Sequence, residues 1–231
     1  MILRVITGKI YIIRRYLFIM KKFLLVIAVL SALVSCITSG FAEELTINKD
    51  KGEIIIPAEI NGKYLVSPTK HAMSFYKGGN GEKSIMRALV SEIDYYNALI
   101  ELGAKPGNNI KPEDMKAKSS AEGKSTEGDK ISVFLTWEGS NGEIPLDDAI
   151  ETHTPDGQTR KLDLRFTGNL EFAQKFHPGC FICLDSCVAG ITTNAAWPTG
   201  AMNNKEVSFK GNAKILPPDG TRVNVIVRLV K

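Results

Sequence analysis

Arg222-Val223-Asn224-Val225-Ile226-Val227-Arg228-Leu229-Val230 sets Val223, Val225, Val227 and Leu229 on one face of an extended chain, the period-two alternation of a half-buried β-strand. Pro217-Pro218-Asp219-Gly220 makes the turn before it, and residues 206–216 are predicted as its partner in a final pair. The same pattern recurs upstream. Residues 161–166 alternate, 131–137 form an apolar run, and Ser140-Asn141-Gly142 and Pro155-Asp156-Gly157 punctuate the chain between them. Residues 70–76 read as another strand, closed by Gly78-Gly79-Asn80-Gly81. That glycine loop has neither the G-x-G-x-x-G nor the Walker spacing, so it reads as a turn and not a phosphate cradle. Near the start, Leu45-Thr46-Ile47 and residues 53–60 flank the polar turn Asn48-Lys49-Asp50-Lys51-Gly52. They predict a hairpin with residues 54–56 in the core.

One helix interrupts this series. Ser91 is its predicted N-cap with Asp94 three residues on; Ile93, Tyr96, Leu99, Ile100 and Leu102 recur at helical spacing, and Gly103 ends it. Tyr95 and Tyr96 read as core aromatics on that helix. Residues 113–130 hold Lys, Glu, Ser and Gly with almost no large apolar residue, the composition of a solvated, flexible loop. The fold class predicted is α+β and β-dominated: antiparallel sheets in a meander, one main helix and a polar loop insertion. Asp147, Asp148 and Glu151 form an acidic patch, but no partner for acid–base work is legible, and His71 and His153 stand without neighbouring ligands in the sequence.

Residues 1–42 differ in kind from the rest. Lys21-Lys22 precedes an uncharged run from Phe23 to Leu30, followed by small residues, which is the order of an export signal with translation beginning at Met20. Residues 23–34 are only about half of the roughly 20 apolar residues a membrane-spanning helix needs. Leu33-Val34-Ser35-Cys36 has the shape of a bacterial lipobox, with Cys36 the acylated residue; Gly40-Phe41-Ala42 is an ordinary cleavage site. The expected arrangement is a signal over 1–42 and one domain over 43–231, exported and lipid-anchored at the extracytoplasmic membrane face. The net charge of +4 comes from 29 basic and 25 acidic residues. Six basic residues precede Glu43, so the remainder carries 23 basic against 25 acidic, a balance of −2. A domain with that balance and no basic stripe is not built for nucleic acid.

The densest chemistry is His177-Pro178-Gly179-Cys180-Phe181-Ile182-Cys183-Leu184-Asp185-Ser186-Cys187. A C-x-x-C unit brings two sulfurs to one ion, and Cys187 supplies a third thiolate, with His177 a candidate fourth ligand of a zinc-like Cys3His set. The spacing also matches part of an iron–sulfur run, although Val188 stands where that run has proline. Two further readings stay open: a structural disulfide that leaves one free thiol, and thiol redox chemistry at Cys180.

Four stretches carry a family resemblance: Gly81-Glu82-Lys83-Ser84; Ala98-Leu99-Ile100-Glu101-Leu102-Gly103-Ala104-Lys105-Pro106-Gly107; Gly179-Cys180 through Cys187 with Ala189-Gly190-Ile191; and Pro217-Pro218-Asp219-Gly220-Thr221-Arg222-Val223. On these the chain resembles the YdjY-like domain family of exported bacterial proteins, some of which are labelled ferredoxin-like. The resemblance implies an address and a fold, not a mechanism. The function expected is that of a non-enzymatic envelope lipoprotein whose Cys180, Cys183 and Cys187 hold a metal or iron–sulfur centre, with electron transfer to another envelope or redox protein. The alternative is an envelope binding or assembly module stapled by a disulfide.

Overall fold

The computed structural model describes residues 44–230; the expected export segment, with Cys36, lies outside them. The predicted opening hairpin is present as β1 (Thr46–Asn48) and β2 (Glu53–Ile60), paired antiparallel. β2 continues into the core, where Ile54, Ile56, Ala58 and Ile60 are fully buried. β3 (His71–Phe75) and β4 (Ser84–Ala88) follow, then the capped helix α1 (Glu92–Glu101). Its Ser91 Oγ accepts from the Asp94 amide at 3.2 Å, and the Asp94 carboxylate accepts from the Ser91 amide at 3.4 Å, a reciprocal capping box. Tyr95, Ala98 and Leu99 of α1 are buried and the expected Ile93, Tyr96 and Leu102 pack against the core beside them, whereas Ile100, also expected on that face, is 43% exposed.

Three more strands, β5 (Ile131–Thr136), β6 (Ile144–Pro145) and β7 (Ile150–His153), bracket the short helix α2 (Leu146–Ala149). β8 (Leu164–Phe166), helix α3 (Leu170–Phe176), β9 (Cys180–Cys183), β10 (Thr192–Asn194), β11 (Ser208–Gly211) and β12 (Arg222–Leu229) complete the chain. The β-dominated α+β class holds, but the order is not a meander. The main sheet runs β6-β5-β12-β2-β4-β3-β9-β10-β8, with β1 also paired to β2, and β3/β4 and β9/β10 are parallel.

The final pair expected from sequence is also corrected. β11 leaves the main sheet and pairs with β7, while β12 sits between β2 and β5, antiparallel to both. The reason lies in its pattern. Val223, Val225 and Val227 are buried on one face and Ile226 is only 8% exposed on the other, so this strand needs cover on both sides and takes an interior position.

Residues 113–130 are tied to the body through their backbone, despite their polarity. The Lys124 amide donates to Thr199 Oγ1 at 3.0 Å, the Thr199 amide donates back to the Lys124 carbonyl at 3.1 Å, and Thr126 is 4% exposed. Composition alone hides this, because the anchors are main-chain groups. Among the described residues, no helix is long and apolar enough to cross a membrane.

Candidate metal centre

β9 is wholly buried and pairs with β3, so Cys183 comes to lie opposite His71 and Cys180 opposite Ser74. Residues three apart on a regular strand point to opposite faces. Here the register shifts between His71 and Met73 and again between Met73 and Ser74, and these irregularities turn both sulfurs to one side. His71 Nδ1 stands 3.6 Å from Cys180 Sγ and 3.6 Å from Cys183 Sγ. The three ligand atoms all lie within 4.8 Å of one another, the only such group of three or more His, Cys, Asp or Glu ligands among the described residues.

Asn80 completes the surroundings of Cys180, its Nδ2 donating to the sulfur at 3.3 Å. The 78–81 loop reaches that far because two glycines cross without side chains. A Cβ on Gly78 would stand 2.5 Å from Gly179 Cα, and Gly179 itself has φ of +76°. The Asn80 amide donates to the Pro178 carbonyl at 2.9 Å, and the buried Glu92 carboxylate of α1 accepts from the Gly179 amide at 3.1 Å. Gly190 makes room for the second thiol: a Cβ there would come within 2.9 Å of Cys183 Sγ.

The two buried thiols differ electrostatically. The Cys183 thiol donates toward Cys180 and holds it well below the ordinary thiol range, helped by His71 and Asn80 and opposed by burial. Cys183 is pushed well above that range by its neighbours Cys180 and Cys187 and by burial. Cys187 therefore adjoins Cys183, but it falls outside the three-atom shell and is partly exposed, its sulfur accepting from the Ala189 amide at 3.3 Å. Burial raises the Asp185 carboxyl to about 6, with Lys70 and His71 opposing. The three cysteines are free thiols.

A buried hydroxyl and amide lattice fixes the segment behind the cluster. Thr193 Oγ1 bonds Thr167 Oγ1 at 2.8 Å and also meets the Thr126 hydroxyl, and Thr192 Oγ1 bonds Tyr95 Oη at 2.7 Å. Asn194 Nδ2 donates to the Leu184 carbonyl at 3.1 Å, and the Thr126 amide donates to Ser186 Oγ at 3.0 Å. Tyr95 also stacks on Phe181, with ring centroids 5.0 Å apart, so α1 is fastened directly to the strand that carries both cysteines.

His177, expected as the fourth ligand, is not among the converging residues. It ends α3 in the left-handed conformation with its side chain exposed, and its carbonyl accepts from the Gly79 amide at 3.0 Å. Its nearness to the cysteines in sequence is spent on turning the chain into β9. His71 takes the place beside the sulfurs, 109 residues from Cys180, and the one signal for it was a histidine at the head of a predicted strand. The acidic patch is structural: Asp147 Oδ1 accepts from the Leu162 amide at 2.7 Å, and Glu151 pairs with Lys210 at 3.1 Å and His153 at 3.4 Å.

No solved structure matches the chain. It is 33% identical over 191 residues to "Uncharacterized protein YdjY" of Escherichia coli (strain K12), an alignment covering 82% of this chain and 80% of that one. The YdjY domain matches residues 45–228, which takes in β2, the bulged β3/β9 pair with its cysteines, and β12 up to Arg228, and on that span the chain belongs to the YdjY domain family.

Proposed function

We propose that the protein is a non-enzymatic metal-binding protein of the bacterial envelope, in which His71, Cys180 and Cys183 hold one soft d10 cation, Zn(II) or Cu(I), with Cys187 within reach as a further donor. One observation carries the reading. An ion about 2.3 Å from each sulfur and about 2.0–2.1 Å from the imidazole nitrogen, with tetrahedral angles, separates nitrogen from sulfur by about 3.5–3.6 Å. His71 Nδ1 stands 3.6 Å from both sulfurs. Thiolate ligands select soft ions, and neutral imidazole suits zinc and copper. A shell this tight favours a single ion over a multi-iron cluster, whose ligands must stand around a larger body.

The address belongs to the same proposal. The basic residues Lys21-Lys22, the apolar run after them and the Leu33-Val34-Ser35-Cys36 box support export and attachment through a lipid on Cys36. Cys36→Ser then moves the protein from the membrane fraction to the soluble envelope fraction; retention in the membrane removes the lipid from the reading.

The deciding experiment is metal and acid-labile sulfide content of protein purified without oxygen from its native envelope. Near-stoichiometric zinc or copper is expected, lost in His71→Ala and Cys183→Ser and kept in His177→Ala. Iron with sulfide would replace the single ion by a cluster. Metal-free protein in which thiol counting finds one free cysteine of the three would replace it by the disulfide-stapled binding module.

A further inference from the structure

The main sheet and the two-stranded β7/β11 sheet meet at the head of β3. There the Thr69 amide donates to the Phe209 carbonyl of β11 at 2.8 Å, and Ser208 of β11 pairs with His153 of β7. A cavity of about 520 Å³ opens at this seam, within the roughly 300–1,000 Å³ of small-molecule sites. Pro68, Pro155, Met202 and Val207 form its apolar wall. No Phe, Tyr or Trp lines it, so it suits an aliphatic body better than a ring that needs a stacking partner. The backbone beneath is fixed: the Leu184 amide donates to the Lys70 carbonyl at 2.9 Å, and the His71 amide donates to Thr69 Oγ1 at 3.2 Å.

The charge around the cavity has one sign. Lys70, Lys205 and His153 line it, and no carboxylate does. His153 is answered by Glu151 at 3.4 Å, but neither lysine has an ion-pair partner among the described residues. Asp185, whose carboxyl feels the Lys70 charge, is 4% exposed and stands outside the lining. Two features bring the ammonium groups to one edge. Lys70 Nζ donates to Asn203 Oδ1, which ties its side chain to the 202–205 turn. On that turn the Lys205 amide donates to the Met202 carbonyl at 3.2 Å, and Lys205 itself is left-handed, with φ of +60°. Glycine takes that conformation without strain and lysine does not. The turn thus holds a charged side chain where the backbone disfavours any side chain, a kind of strain that gathers at ligand clamps.

We propose that this cavity binds a small aliphatic anion, its head a carboxylate or a phosphate ester held between Lys70 and Lys205 and its chain laid against Pro68, Pro155, Met202 and Val207. Exposed ammonium groups hold an anion weakly by themselves, because water and salt screen them. The apolar wall adds the burial of the chain, so head and body are both required. The site goes beyond the metal-binding reading and does not depend on it.

The test is isothermal titration calorimetry on the full chain with octanoate and octyl phosphate as probes. Octylammonium, with the same body and the opposite head, and acetate, with the head alone, are the controls. At least one of the two anions is expected to saturate one site per chain, about tenfold or more tighter than either control. Lys70→Glu with Lys205→Glu is expected to weaken that anion by about tenfold, with the thermal unfolding midpoint near the wild-type value because both side chains are exposed. Failure of both anions to saturate overturns the proposal. Octylammonium that binds as tightly overturns it too, as does a double variant that keeps the wild-type affinity. Cys183→Ser, which empties the metal centre in the reading above, is expected to bind the anion unchanged. Loss of binding there would put the anion's oxygen on the metal, overturning the cavity as its seat while leaving the metal-binding reading in place.

Discussion

The two halves of the main sheet are built by opposite means. At the β2–β12–β5 end, β12 pairs with β2 over seven consecutive residues and with β5 over six, without a register shift, and the interior is isoleucine, valine and leucine. Its buried carboxylate, Glu53, sits at the end of the strand, clamped by Arg228 at 2.9 Å. At the β3–β9–β10 end the pairings are short, two register shifts interrupt them, and the buried set includes Cys180, Cys183, Asp185, Thr192, Thr193 and Asn194. The aliphatic end gains stability from area removed from water, which is tolerant of direction. The polar end gains position, since each buried hydroxyl or amide is acceptable only where its partner stands. A rigid regular half thus carries an irregular half in which side chains are aimed.

The largest effect that would separate the halves is a core truncation. Ile56→Ala is expected to cost about 2–5 kcal/mol in urea unfolding, while Cys183→Ala costs only about 1 kcal/mol because little apolar volume is lost. Equal costs would mean that the sulfur end is ordinary core and would break the comparison. Next comes Gly179→Ala, whose left-handed φ and 2.8 Å approach to Gly78 predict about 1–3 kcal/mol of destabilisation. It should also make Cys180 react faster with a thiol reagent, because Asn80 is displaced; unchanged reactivity would show that the glycine crossing does not position Asn80.

The lattice offers a sharper test. Burial keeps the Tyr95 phenol protonated well above its ordinary range, and its hydroxyl is paired with Thr192 Oγ1. Thr192→Val is expected to cost about 1–3 kcal/mol by stranding a buried hydroxyl, and Tyr95→Phe in the same chain should recover most of that loss. Failure to recover would place the value of the contact in packing. The smallest effect belongs to the aliphatic end. The Arg228 guanidinium lowers the Glu143 carboxyl below its ordinary value. A lowered carboxyl stabilises the fold above its unfolded value of about 4.3, and that contribution is lost as pH falls through the folded value. Glu143→Gln should therefore flatten the acid limb of the stability curve below about pH 4.3, by less than about 1 kcal/mol since the pair is exposed and screened by salt.

Legibility followed the same division. Strand β12, the β1–β2 hairpin and the Ser91 cap were readable because local patterns encode them: alternation, a polar turn, a capping box. The partner of β11 was not, since two neighbouring strand patterns give no sign that they enter different sheets. The cysteines were found by spacing, but the imidazole was assigned to His177 by proximity in the chain, and only the β3/β9 pairing brings His71 to them. Thr192-Thr193-Asn194 and Thr126 carry no apolar signal at all. They are buried because they satisfy one another, a property that lies in their relation and not in any one residue.

The separation of 109 positions from His71 to Cys180 also sets an order of events during folding. The three thiols are neighbours in the chain from the moment they are made, whereas the imidazole arrives only when a long loop has closed and the β3/β9 pairing has formed, a slow kind of contact. For that interval the thiols meet whatever is in solution, metal ion or oxidant, without the histidine. The state of the finished centre is therefore decided by a race, and the concentrations present during synthesis count for as much as the affinity of the folded site.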